Sequence, residues 1–386
     1  MIDSGPQHSS DLHGRQVLLV SHEASRTGAP RVALEIARGL RAAGADIEVV
    51  LRWSGSLRTE FQAEGLRVRD EPLRHLRASL RRFGARRLAR WLEQKMASRV
   101  LLRQRPEIVY LNSVLSLSYA SVARKLGIAV VAHIHELPPL LDAGLRRWPG
   151  VKSVAGSIHW VACSRDARVA LCAALNLAPE RVRLIRSLVD IEQLHQRAQQ
   201  RPSISLPPRF VVNCATGDRR KGLDLWLEMV AELAMDPTLE PLEFVWLGRI
   251  NDPDLTSDYR ARPWYKRVHF PGEIANPHAV MRLATAMAFS SRSDVFPLAV
   301  VEAMALGIPT VAFDVGGLAE QLPAECRVAP GDTQAMAARV REWLSSETRL
   351  RLISRSLSER ARTHFDVRAM HRDVAERITE ALDAAT

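Results

Sequence analysis

Four short segments of the chain combine residue types that could handle phosphate or sugar. Arg219-Arg220-Lys221-Gly222 places three cations at the start of a helical pattern. Cations at the positive end of a helix are unfavourable unless an anion joins them, and such groups can hold a diphosphate by charge-assisted hydrogen bonds. Solvated surface charge is the alternative. In Ser293-Asp294-Val295-Phe296-Pro297-Leu298-Ala299-Val300-Val301-Glu302-Ala303-Met304, Pro297 suits the first turn of a helix, and Glu302 lies inside an otherwise apolar stretch. A carboxylate there needs a partner, and sugar hydroxyls can serve. Asp294, in the loop before it, could reach the same ligand or cap the helix.

Ser25-Arg26-Thr27-Gly28-Ala29-Pro30 also opens a helical pattern, and Gly28 would let a phosphate or sugar approach the backbone; taken alone, the segment reads better as a plain turn. His133-Ile134-His135-Glu136 ends an apolar run and puts two histidines on one strand face. With no third ligand at metal spacing, no metal site is expected. Asp252-Pro253-Asp254 resembles a metal-binding acid pair but reads as a surface turn.

The elements that must position these residues alternate along the chain. Strand-like runs at Gln16–Val20, Asp46–Leu51, Glu107–Leu111, Ile128–His133, His159–Ala162 and Arg181–Ile185 are separated by helical patterns, with Ser164 as an N-cap. A polar, proline-bearing stretch at 196–208 reads as a linker. The alternation then restarts at Phe210–Cys214 and continues through Leu242–Leu247, Arg267–Phe270, Ala286–Ser290 and Thr310–Phe313. The expectation is an α/β fold of two doubly wound parallel-sheet domains facing a central cleft, 1–200 and 209–365, with a helix at about 366–386 packing back on the first.

The 386 residues suit two domains, and 47% apolar with 25% charged residues is a globular composition. No apolar run approaches the roughly 20 residues of a spanning helix. No secretory signal is expected at the start, and Cys163, Cys172, Cys214 and Cys326 lack disulfide-framework or metal spacing. Of the net charge of +11, the segment Arg74–Arg105 carries +10, with Glu93 its one acid. Within it Leu73, Leu76, Leu80 and Phe83, then Leu88, Trp91, Leu92 and Met96, recur at helical steps, which predicts an amphipathic helix or helix pair broken near Gly84. Its arginines read as a solvated face, as a contact to an anionic membrane, or as a site for an anionic acceptor. A charge so localised argues against a nucleic-acid coat.

Taken together, these segments resemble the family-four retaining glycosyltransferases of GT-B fold, over nearly the whole chain. Ser293–Phe313 is similar to the family's paired-acid signature and following strand. Gly316-Gly317-Leu318-Ala319-Glu320, Arg220-Lys221-Gly222, Phe244–Gly248, Gly28-Ala29-Pro30 and His135-Glu136 resemble its other landmarks. The resemblance implies a sugar transferred from a nucleoside diphosphate donor to a glycan or lipid-linked acceptor, with no metal cofactor. It implies that Glu302 holds the ribose, Arg220 and Lys221 the diphosphate, and Asp294 the donor-sugar hydroxyls. Backbone amides near Phe296, Pro297 and Leu298 would face the phosphates, Gly28 would line the first loop, and His135 would meet the sugar near the reacting carbon. Gly272, within Phe270–Glu273, would border the base.

Asp294 replaces the family's more usual Glu, and Ser187-Leu188 replaces its Asn-Gly, so the donor sugar stays open. The expected location is the cytoplasm, peripheral on the inner face of the membrane. A nucleotide-sugar epimerase or hydrolase of similar shape, and a non-catalytic membrane-binding protein, are the alternative readings.

Overall fold

The computed structural model describes residues 12–384. Residues 1–11 and 385–386, at the ends of the expected first domain and of the expected C-terminal helix, lie outside the described residues. The chain divides into two compact units, one comprising 1–187 and 368–386 and the other 188–367. The first crossing, Ser187/Leu188, falls ahead of the polar stretch at 196–208, and the chain returns to the first unit at Val367/Arg368.

The first unit is built on a seven-stranded sheet: β1 (Gln16–Ser21), β2 (Asp46–Leu51), β3 (Arg67–Asp70), β4 (Ile108–Asn112), β5 (Ala129–Ile134), β6 (His159–Ala162) and β7 (Val182–Leu184). Its order is β3-β2-β1-β4-β5-β6-β7, all parallel. In β4 and β5 every residue is buried, as expected of strands covered on both faces. The edge strand β3 (RVRD) lacks an apolar run, which is why the sequence gives no strand signal there. Ser164 caps the helix Arg165–Leu175 by accepting from Ala167 N at 3.1 Å.

The C-terminal helix Val367–Asp383 packs on this unit. Arg377 donates to Trp160 O at 3.2 Å, Arg183 meets Glu376 and Glu380 at 2.5 Å each, and His371 lies over Gly39 so closely that a Cβ there would sit 2.5 Å from its ring.

The second unit has six parallel strands: β8 (Phe210–Cys214), β9 (Glu243–Leu247), β10 (Val268–Gly272), β11 (Ala286–Phe289), β12 (Thr310–Phe313) and β13 (Arg327–Val328), in the order β10-β9-β8-β11-β12-β13. Trp226 and Trp246 meet edge to face at 5.4 Å in its core. Both sheets reverse winding direction beside their first strand, and ligands of such sheets bind at the carboxyl ends near that point.

The basic segment forms two helices, Arg74–Arg82 and Arg86–Gln104, joined through Gly84 at φ +79°. Its arginines do not form a single solvated face. Arg77 and Glu93 are buried, whereas Leu73, Leu76, Leu88 and Trp91 are about half exposed and Phe83 is 83% exposed. The pair turns a charged seam inward because Glu93 and Glu71 neutralise guanidiniums there, and this leaves much of the predicted apolar stripe in water.

Candidate active site

In the second unit, the loop after β8 carries the three cations. Thr216 Oγ1 bonds Asp218 Oδ2 at 2.9 Å, and Lys221 N donates to Asp218 Oδ1 at 2.8 Å, so the loop is tied to itself. Gly222 adopts φ +72°, and a Cβ there would sit 2.0 Å from Ser290 O; no other residue fits against the end of β11. The cations then diverge. The Lys221 ammonium pairs with the Asp294 carboxylate, Arg220 Nη1 donates to Ser293 O at 3.1 Å, and Arg219 is mostly exposed. The expected clash of three cations with the helix dipole is thereby relieved within the protein. Asp224 in the first turn of Leu223–Ala234 supplies a negative charge and holds Arg292 at 2.6 and 2.8 Å.

Lys221 and Asp294 lie 73 positions apart in sequence yet form one ion pair, with side chains 16% and 12% exposed. Two glycines press the Asp294 loop into place. A Cβ on Gly316 (φ +53°) would lie 1.8 Å from Asp294 O, and one on Gly317 would lie 2.1 Å from Val295 O. Phe296 and Leu298 are buried, Phe296 against Phe365 at 6.0 Å. Pro297 has no N–H to offer a phosphate, and its carbonyl accepts from Gln321 Nε2 at 3.2 Å and Val300 N at 3.2 Å; any amide contact there belongs to its neighbours.

Glu302, on the helix Leu298–Ala305, is 2% exposed, with Oε1 3.2 Å from Nε2 of buried His278. Neither ring nitrogen of His278 makes a hydrogen bond. The sequence reading missed His278: it sits on a five-residue helix, Pro277–Met281, with no motif around it, and only the tertiary fold brings it to Glu302. At the end of β10, Gly272 (φ +78°) has no atom within 4 Å of where a Cβ would be, so the surface there is open.

In the first unit, His135 follows β5. Its Nε2 bonds Asn112 Oδ1 at 2.9 Å, and Asn112 Nδ2 donates to Ala29 O at 2.9 Å, so one asparagine ties His135 to the start of the helix Gly28–Ala42. Gly28 itself faces open space. The Glu23 carboxylate binds Ser25 Oγ at 2.6 Å, which organises that loop.

The His133 and His135 rings lie 4.1 Å apart, but His133 spends Nδ1 on Tyr110 OH at 2.9 Å and Nε2 on Ile185 O at 3.2 Å. The two rings therefore do not present free nitrogens to a common point. Burial, then the neighbouring His133 and His22, hold His135 well below the ordinary histidine value, so near neutrality it is an uncharged imidazole. Burial raises Glu136, although Ser113, Val114 N and His135 N all donate to its carboxylate.

These two sets of strand-end loops coincide with two matched family models: residues 26–193 fit Glycosyltransferase Family 4, and residues 208–346 fit Glycosyl transferases group 1. The chain belongs to the family-four glycosyltransferases. It is 31% identical over 224 residues to D-inositol 3-phosphate glycosyltransferase 1 of Catenulispora acidiphila, covering 52% of this chain and 53% of that protein. It is 30% identical over 156 residues to a D-inositol 3-phosphate glycosyltransferase of Jonesia denitrificans, covering 36% and 37%. The matches thus span about half or less of those relatives. Among solved structures, the Anabaena protein HepE in complex with UDP superimposes with a TM-score of 0.75 at 19% identity, covering 95% of this chain and 100% of that one. A glycosyltransferase from Rickettsia africae gives 0.73 at 15%, covering 96% and 99%. At such identities the likeness speaks for the fold, two parallel-sheet α/β domains of GT-B type.

Proposed function

We propose that this family-four glycosyltransferase moves a sugar, with retention at the anomeric carbon, from a nucleoside diphosphate to a glycan or lipid-linked acceptor in cell-surface glycoconjugate synthesis. The observation that carries the reading is the Lys221–Asp294 pair beside Arg220, in loops at the carboxyl ends of β8 and β11. HepE has been solved with UDP and with UDP-glucose, and UDP is the nucleotide we take first for this chain.

In this reading Glu302 accepts the ribose hydroxyls, with His278 behind it. Lys221 and Arg220 meet the diphosphate, and Asp294 holds both Lys221 and the sugar hydroxyls. The bond from the anomeric carbon to the diphosphate oxygen breaks with its electron pair going to the diphosphate. The two cations stabilise the charge gathering there. The acceptor hydroxyl bonds to the same face of that carbon, and its proton passes to the departing phosphate oxygen. No metal takes part. Within the first unit, His135 is an uncharged imidazole whose one N–H is spent on Asn112 Oδ1, so toward a sugar it can only accept a hydrogen bond and adds no charge.

The test is a thermal-shift panel of UDP, GDP, ADP, TDP and CMP on the wild type and on Glu302→Ala, followed by transfer assays. A nucleotide at 100 times its Kd stabilises the protein by about 2.7 kcal/mol. The reading expects one diphosphate to stand out and Glu302→Ala to lose both the shift and most turnover. No shift in the wild type would sink it, and donor turnover without any acceptor would replace it by a hydrolase or epimerase.

We also place the protein at the cytoplasmic face of an anionic membrane. Among the described residues no helix is long and apolar enough to cross a bilayer. The exposed Leu73, Leu76, Phe83, Leu88 and Trp91, set among exposed Arg82, Arg86, Arg87, Lys95 and Arg99, suit an interfacial contact.

A further inference from the structure

A second group of ionisable side chains lies at the carboxyl edge of the first unit's sheet, apart from the donor-side residues. Arg52 follows β2, Glu71 follows β3, Tyr119 lies beyond β4, and Arg77, Arg81 and Glu93 come from the basic helix pair; Arg147 ends the helix Leu140–Arg147. Glu71 accepts from Arg52 Nε at 3.2 Å, from the Tyr119 hydroxyl at 3.1 Å and from Arg77. A single oxygen of the wholly buried Glu93 faces four guanidiniums, with Arg147 at 2.5 Å, Arg77 at 3.3 Å, Arg52 at 3.4 Å and Arg81 in direct contact.

Among the described residues, Glu71 and Glu93 are the only ion-pair partners of these arginines. Four cations against two carboxylates leave a surplus of two positive charges, with Arg52 and Arg77 almost fully buried. Arg77 Nε makes no hydrogen bond, and neither does Glu93 Oε2; turning that carboxylate would satisfy one donor and leave the surplus unchanged. Burial holds Arg52 down to about 10, and burial with the neighbouring arginines holds Arg77 to about 9 and Arg81 to about 10. Unbalanced charge in such a place costs several kcal/mol, and an incoming anion would remove the cost.

We propose that this arginine cluster binds the phosphate of a phosphorylated sugar or polyol, and that this group, in place of the glycan or lipid-linked acceptor taken above, is the acceptor; the proposal rests only on the donor side of the glycosyltransferase reading. A phosphate monoester carries about −1.5 to −2 charge near neutrality, which matches the surplus. Guanidinium forks suit its oxygens better than ammonium groups do. Arg81 and Arg147, with side chains 35% and 26% exposed, are the members that solvent reaches, and Arg52 and Arg77 are nearly buried. The position also fits an acceptor. In the sheet order β2-β1-β4-β5, Arg52 and His135 end strands three spacings apart, about 14 Å along the sheet edge, which an arginine side chain and a phosphorylated ring can span between them. His22, after β1, lies between them, close enough to feel Arg52 and to be felt by His135.

The experiment measures binding of glucose 6-phosphate and glycerol 3-phosphate, with glucose and glycerol as uncharged controls, at fixed ionic strength. It uses the full chain carrying Arg220→Ala and Lys221→Ala, so that phosphate cannot report on the donor loop. The expected result is phosphate-dependent binding that weakens about tenfold to a hundredfold in Arg147→Gln and in Arg81→Gln, the loss of one charge-assisted contact. In the otherwise wild-type chain, Arg147→Gln should leave the UDP thermal shift intact, which also shows that it folds. Equal binding of glucose and glucose 6-phosphate, or binding indifferent to both substitutions, overturns the proposal. So does a response confined to vesicles containing phosphatidic acid, which would assign the cluster to a lipid headgroup. Absence of the UDP shift with phosphate binding intact would instead sink the donor reading and leave an anion site of another purpose.

Discussion

Lys221 is the most informative residue to perturb, because it makes one bond in the free protein and is proposed to make another to the donor. Removing it in Lys221→Ala leaves Asp294, its side chain 12% exposed, as a largely buried carboxylate without its ammonium. An abandoned partner of this kind costs about 1–3 kcal/mol. For a domain of this size, about 2 kcal/mol corresponds to a fall in Tm of roughly 4–8 °C. Lys221→Ala/Asp294→Asn removes the stranded charge, so it should recover at least half of that loss. The donor contact behaves differently. A charge-assisted hydrogen bond to the diphosphate contributes about 1.5–3 kcal/mol, so UDP should bind roughly 10- to 150-fold more weakly to both the single and the double variant. Thermal melts with a UDP titration read both effects from the same samples. If the double variant is no more stable than Lys221→Ala, the pair does not govern the loop. If UDP binds both variants as tightly as the wild type, Lys221 has no part in holding the diphosphate.

Gly222→Ala should destabilise the second unit by more than the roughly 1–2 kcal/mol of left-handed backbone strain, because its Cβ would also meet Ser290 O at 2.0 Å. Gly272→Ala, at φ +78° with open space, should cost the strain alone, and equal melting losses would refute the packing argument. Burial holds His133 down to about 3 and, with its neighbours, His135 well below its ordinary value, so below pH 6.5 the unfolded chain takes up protons that the folded chain refuses. Stability should therefore fall as pH drops from about 6.5, by up to about 1.4 kcal/mol per pH unit for each histidine. His135→Gln should shallow that slope in urea melts at pH 4.5–6.5, and an unchanged slope would count against a buried neutral His135. Phe83→Ser and Trp91→Ser should each weaken co-sedimentation with anionic vesicles by about tenfold, since each removes a large apolar side chain from the contact. Binding by both variants as tight as that of the wild type would remove the helix pair from the membrane.

Much of the fold is legible in the sequence because apolar runs and turn residues act locally. Strands β1, β2, β4 to β6, β8, β9, β11 and β12 announce themselves by mainly apolar runs, whereas β3 (Arg67–Asp70) and the two-residue β13 do not, being edge strands that bury little. Gly222, Gly316 and Gly317 are visible as glycines, and the turns they serve can be guessed. That each is pressed to about 2 Å from a carbonyl of a distant loop cannot be.

What the sequence by itself determined is the alternation of elements, the strand ends where the chemistry-bearing residues gather, and the identities of Lys221, Asp294, Glu302 and His135. Only the tertiary structure decided their partners. Lys221 joins Asp294 rather than the helix dipole, His278 arrives at Glu302 from an unmarked turn, and Arg52, Arg77, Arg81 and Arg147 converge on Glu93. The basic helices show the difference most plainly, since their periodic leucines suggest which face goes inside and yet Arg77 and Glu93 occupy it. Periodicity reports how a helix divides its own surface. Which face is buried depends on the charges waiting on neighbouring strands, and those come together only when the sheet forms.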